Sequence, residues 1–136
     1  MEDSTHCVWV DERINVIYTK VFAVKNSIAD FERDCENYNS LIKELIRTNP
    51  NLKYSIFDGS EVPALSTEYM SVYFGRYVPL QLNNGVKYKA FVAPGHLFGK
   101  IMIDEAPLFL KGCNVQFFDT INQALFSVLS LHLSDN

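Results

Sequence analysis

Residues 54–78 read Tyr-Ser-Ile-Phe-Asp-Gly-Ser-Glu-Val-Pro-Ala-Leu-Ser-Thr-Glu-Tyr-Met-Ser-Val-Tyr-Phe-Gly-Arg-Tyr-Val. A short apolar run from Lys53 to Phe57 meets the turn Asp58-Gly59 and crosses a polar loop. It then enters a helix whose first turn carries Ser66, Thr67 and Glu68. A strand, a loop and a helix start in this order present small hydroxyl side chains at the edge of a sheet. The helix is expected to run from Ser66 to Val78 and to stop before Pro79.

Upstream, residues 7 to 24 have β character. Val8 and Val10 flank Trp9, Asp11 to Arg13 is a polar turn, and Ile14 to Val24 is rich in β-branched and aromatic residues, so a hairpin is expected. From Ser27 the period changes to that of a helix, with Ile28, Phe31, Cys35, Tyr38, Ile42 and Leu45 on one stripe. Ser27 and Asp30 form an N-terminal capping pair, Lys43 and Arg47 lie near the C-terminal end, and Asn49-Pro50 stops the helix. The stripe is too short for a coiled coil, so it is expected to pack on a sheet.

Downstream, Asn83-Asn84-Gly85 turns into a strand over Val86 to Ala93, which Pro94-Gly95 ends. Lys87 and Lys89 alternate there with Val86, Tyr88 and Ala90, the pattern of a strand with one polar face in water. His96 to Met102 begins a further helix that Pro107 interrupts, and Asn114 to Phe118 is the next strand. Thr120-Ile-Asn-Gln123 is a capping box for the last helix, with Ile121, Ala124, Leu125, Val128 and Leu129 inward. A hairpin followed by alternating helix and strand predicts an α/β fold: one domain over residues 1–136, with a mostly parallel, mixed sheet of four to five strands and about four helices. Residues 1–6 and 134–136 are expected to be flexible ends.

Composition narrows the function. The net charge of −4 and the scatter of 12 basic residues argue against nucleic acid, whose affinity for proteins comes from clustered Lys and Arg. Three well-separated cysteines, Cys7, Cys35 and Cys113, fit a reduced chain, and the opening Met-Glu-Asp-Ser-Thr-His lacks the order of a secretory leader. A cytoplasmic location without a membrane span is therefore expected. No nucleotide loop occurs, and Gly59-Ser60-Glu61-Val62-Pro63 lacks the closing glycine of a nucleophile elbow. His6, His96 and His132 stand apart from one another and from Cys or acidic residues at metal spacing. No catalytic residue, metal site or cofactor is expected.

Two features point instead to binding. Asp58 and Asp119 each follow a strand, at the carboxyl edge where open α/β sheets take ligands, although each also suits a turn or a helix approach. In the second helix Tyr69, Tyr73 and Tyr77 recur every four residues beside Met70, Phe74 and Val78. Most of that surface belongs in the core, and the tyrosine hydroxyls leave an edge for a pocket or an interface.

The strand, polar loop, hydroxyl pair and helix resemble the STAS module of the bacterial anti-sigma-factor antagonists, and more closely its SpoIIAA-like (STAS/SEC14-like) branch. Gly85-Val86-Lys87 leading into Ala90-Phe91-Val92, then Val115-Gln-Phe-Phe-Asp119 and Gln123-Ala124-Leu125, carry the resemblance across residues 14 to 130. It implies a non-enzymatic regulatory or protein-interaction module. In antagonist-type members an Asp-Ser-Ser-Gly segment offers a phosphorylated serine. Leu65-Ser66-Thr67-Glu68 stands in the corresponding place, with both hydroxyls kept and the flanking residues changed. The SEC14-like side implies the alternative, a domain for a small apolar molecule or a lipid. The expected binding residues are Ser66, Thr67, Tyr69, Tyr73 and Asp58, and the expected partners are a protein, a second copy of the chain included, or such a ligand.

Overall fold

The central strands are apolar on both faces, which requires cover on both sides. The sheet answers this with five strands in the order β1-β2-β3-β4-β5: His6–Asp11, Val16–Val21, Tyr54–Asp58, Tyr88–Val92 and Val115–Phe118. The first two form an antiparallel hairpin, and each later strand runs parallel to the one before it. Because neighbours in sequence are neighbours in space, each parallel step needs a crossover, and the helices supply them. The computed structural model describes residues 5–62, 65–93, 104–110 and 112–134.

The crossovers are α1 (Ile28–Thr48), then α2 (Thr67–Val72) running through a π-helical turn (Tyr73–Tyr77) into α3 (Val78–Asn83), then α4 (residues 104–109). The chain ends in α5 (Ile121–Ser134). The register sorts the strands into two faces. Ile17, Ser55, Lys89 and Val115 lie in one cross-strand row, and Thr19, Phe57, Phe91 and Phe117 in the next, on the face packed by α1 to α4. Val16, Tyr54 and Tyr88, with Ile56 and Ala90, face the other way, where Ala124 and Val128 of α5 close the core.

Local chemistry explains the ends. Ser27 caps α1 by accepting from the Asp30 N–H at 3.1 Å. At α5 the capping box is reciprocal: Gln123 N–H donates to Thr120 Oγ1 at 3.2 Å while Thr120 N–H donates to Gln123 Oε1 at 3.3 Å. The turn after β3 requires Gly59. Its N–H donates to Val92 O at 2.9 Å, and a Cβ there would sit 3.0 Å from that oxygen.

Several expectations are corrected. The second helix does not end before Pro79 but continues to Asn83. In the π turn the Val78 N–H reaches back five residues to Tyr73 O, and this wider turn gives the proline ring the room that an α-helical ladder denies. Pro107 does not interrupt a helix but lies within α4. His6, at the edge of the expected flexible end, opens β1 with a buried ring, and Ser134 belongs to α5. The hairpin turn follows Asp11 and includes Asn15 at φ 58°, so the second strand starts at Val16 rather than Ile14 and ends at Val21 rather than Val24. Leu129 is partly exposed rather than inward, since α5 covers the sheet edge with a narrow stripe centred on Ala124 and Val128. The helix expected to begin at His96 falls outside the described residues.

The largest correction is Lys89. Its strand alternates as read, but the face it shares with Phe91 is covered by helices, and Lys89 is 0% exposed. Lys87 alone of the pair reaches water.

Candidate functional site

Lys89 stands mid-strand on β4 between Ser55 and Val115, so its side chain rises from the sheet into the helix layer. Its Nζ donates to Gln81 Oε1 on α3. That contact fixes the amide orientation of Gln81, whose Nε2 donates to Asn39 Oδ1 at 2.8 Å. Asn39, on α1, then donates through Nδ2 to Tyr77 O in the π turn at 3.0 Å. Each donor meets an acceptor along the relay, as a buried polar chain requires. Sheet, α3, α1 and the π turn are thereby joined through one line of hydrogen bonds.

Around the ammonium stand three rings. Phe57, Tyr73 and Tyr38 have centroids 4.9, 5.6 and 5.7 Å from Nζ. Burial of the amine pushes its pKa down from the usual lysine value to about 7. The groups nearest it are held neutral by the same burial. The Cys35 thiol and the Tyr38 phenol are each pushed up to about 12, and Tyr73 lies well above the ordinary phenol value.

The cage backs onto a cavity of about 80 Å³. It lies over the carboxyl ends of β2, β3 and β4, under α1 and the π turn. Thr19 and Val21 of β2, Phe57 of β3 and Phe91 of β4 make its floor, Phe31, Cys35 and Tyr38 its roof, and Tyr73 one wall. Thr5 and His6, Val62 and Leu65 close it from the flanks, and Asp34 stands at its rim. Phe57 stacks on Phe91 at 4.8 Å, so the floor is largely aromatic. Thr19 and Tyr38 satisfy one another by a shared hydrogen bond. The Tyr73 hydroxyl, with Gln81 beside it, is buried and makes no hydrogen bond of ordinary geometry.

The residues expected from sequence divide around this cavity. Tyr73 lines it. Ser66 and Thr67 are exposed at the start of α2, where Ser66 Oγ accepts from the Tyr69 N–H at 3.2 Å. Tyr69 is half-buried and spends its hydroxyl on Lys25 O at 3.0 Å, and Tyr77 donates to Glu36 Oε1 at 3.2 Å. Asp58 accepts from the Ser60 N–H at 3.0 Å, the role of a turn residue, and Asp119 lies beyond β5, two strands away. The structure therefore brings Tyr73 to the cavity and leaves Ser66, Thr67, Tyr69 and Asp58 around it or away from it.

Lys89, Gln81, Asn39 and Cys35 were not singled out as site residues. One signal was present: Tyr88-Lys89-Ala90-Phe91-Val92 reads as the near-continuous apolar run of a central parallel strand, and a lysine inside such a run is a buried lysine. Among the described residues no group of three or more His, Cys, Asp or Glu side chains could hold a metal ion. No described helix is long and apolar enough to cross a membrane. No family model matches the chain, and no curated protein matches it in sequence.

Proposed function

We propose that this protein is a non-enzymatic binding domain that takes a small, largely apolar molecule between α1, the π turn and the carboxyl ends of the parallel strands. The observation that carries the reading is the apolar cavity of about 80 Å³ with Tyr73, whose buried hydroxyl makes no hydrogen bond of ordinary geometry, in its wall. Ligand sites are concave, mostly apolar and marked by a few convergent polar groups. The volume is about half that of a ~150 Å³ cavity that admits benzene, so the occupant is a few heavy atoms or the end of a longer chain, and a lipid enters by its tip alone. Ligand titration followed by two-dimensional amide NMR tests this. 1-Butanol is expected to move the resonances of Val21, Phe57 and Tyr73 in wild type and not in Val21→Phe, which fills the cavity. Unmoved resonances up to the solubility limit in wild type would sink the proposal.

A second reading is the regulatory, protein-interaction role implied by the STAS-like resemblance. It is favoured by the exposure of Ser66 and Thr67 at the start of α2 and by the hairpin followed by parallel strands in sequential order. Thr67→Glu would then change which proteins are retained from cell extract, with the melting temperature unaltered. An identical set for both proteins counts against this role.

A further inference from the structure

Lys89 has one hydrogen-bond acceptor and three rings around it, and among the described residues no carboxylate pairs with it. A buried amine without a counter-charge is costly to protonate. The titratable groups that face it are Cys35 and Tyr38 from α1 and Tyr73 from the π turn, with His6 of β1 behind Tyr38 at 6.1 Å between rings. The neighbouring strands offer it Ser55 and Val115, and α3 offers Gln81. None of these is an anion at neutral pH. Yet Tyr38, Phe57 and Tyr73, the rings of its cage, are also walls of the cavity, and of the two buried hydroxyls among the described residues that make no hydrogen bond of ordinary geometry, those of Ser55 and Tyr73, only Tyr73 belongs to a residue that lines it.

We infer that the cavity takes a small monocarboxylate, a short apolar body bearing one acid group, whose oxygen accepts from the Tyr73 hydroxyl and whose charge supplies the counter-ion that the protein withholds from Lys89. The inference rests on the binding-domain reading and names the ligand's chemistry. Asp34, the acid at the rim, does not forbid it. It is partly exposed, so water screens its charge, whereas Lys89 is fully buried. Binding carries a proton cost, because the carboxylate selects the ammonium form. Affinity therefore falls as pH rises past the lysine's pKa of about 7.

Three probes of similar size separate the possibilities: sodium butyrate, butyramide and 1-butanol, each titrated by amide NMR into wild type, Lys89→Met and Tyr73→Phe. In wild type at pH 6.5 butyrate is expected to bind at least about tenfold more tightly than butyramide, and to weaken by about tenfold per pH unit above 7 until the bound lysine also loses its proton. In Lys89→Met the preference for butyrate and its pH dependence disappear while 1-butanol still binds. In Tyr73→Phe, which keeps the ring, butyrate weakens and the cavity resonances still respond to 1-butanol. The inference is overturned if butyrate binds no better than butyramide, if its advantage survives in Lys89→Met, or if the pH dependence persists there. Binding of 1-butanol without butyrate sinks this inference alone. Silence of all three probes sinks the cavity reading with it.

Discussion

Raising the pH from 7 to 9 is expected to stabilise this protein, and Lys89 is the reason. In the folded chain its pKa is about 7, against 10.5 when the side chain is free in water. A basic group with a depressed folded pKa binds its proton more weakly in the folded state. Stability is therefore flat below pH 7, rises between the folded and unfolded values, and levels off above about 10.5. The whole difference is about 3.5 pH units, or about 5 kcal/mol, of which the interval from pH 7 to 9 recovers about 2 kcal/mol. Cys35 works in the opposite direction, since burial raises its thiol to about 12, and it begins to subtract only near pH 9. Denaturant titration at both pH values gives the free energies, and Lys89→Met isolates the lysine because Cys35 and every other titrating group remain. At pH 7 the variant sheds about 4 kcal/mol of protonation cost. It leaves Gln81 Oε1 unpaired at about 1–3 kcal/mol, for a net gain of about 1–3 kcal/mol. An equal change from pH 7 to 9 in wild type and variant, or a loss of several kcal/mol in Lys89→Met, would refute the argument that this amine is buried against its charge.

Further outcomes follow from the same geometry. Asn39→Leu strands Gln81 Nε2 and removes a donor from Tyr77 O, and should cost at least about 2 kcal/mol by urea unfolding, although leucine is the better helix former. Ile42→Ala, at a position 1% exposed, should cost about 2–5 kcal/mol, while Lys43→Ala next to it changes little; equal effects would mean that α1 is in another register. Ser66→Ala removes the cap of α2 and should lower stability by about 1 kcal/mol in thermal unfolding.

What the sequence disclosed and what it hid can be traced to particular residues. The stripe Phe31, Cys35, Tyr38 and Ile42 faces the core as its spacing implies, and Ser27 and Thr120 cap the helices that they precede. Spacing and capping are local, so a single sequence reveals them. Alternation along β4 revealed that Lys89 and Tyr88 point to opposite faces, yet not that both faces are covered. That depends on where α1, α3 and α5 fall. Pro79 misled because the rule against proline holds for an α-helical ladder, and the π turn before it leaves no mark in composition. Tyr73 stands out in the sequence for its ring and its hydroxyl, and it lines the cavity. Asn39 was passed over because a polar residue one step from Tyr38 reads as the edge of a stripe.

The π turn has a consequence for the order in which this interior could arise. Relative to an uninterrupted α-helix, it behaves as an extra residue held between Tyr73 and Tyr77. Deleting one residue there would turn α3 by about 100° against α2 and draw it back by about 1.5 Å. Gln81 would swing away from Lys89 and Asn39, and the amine would be left bare in an apolar layer. Conversely, with an apolar residue in place of Lys89, the inserted residue would carry Gln81 into the core with its Oε1 unanswered. The deletion is harmful while the lysine is there to be stranded and milder once it is gone, so the helix length and the lysine form an epistatic pair: a deletion within 73–77 and Lys89→Met should each depend on the other for their effect on stability.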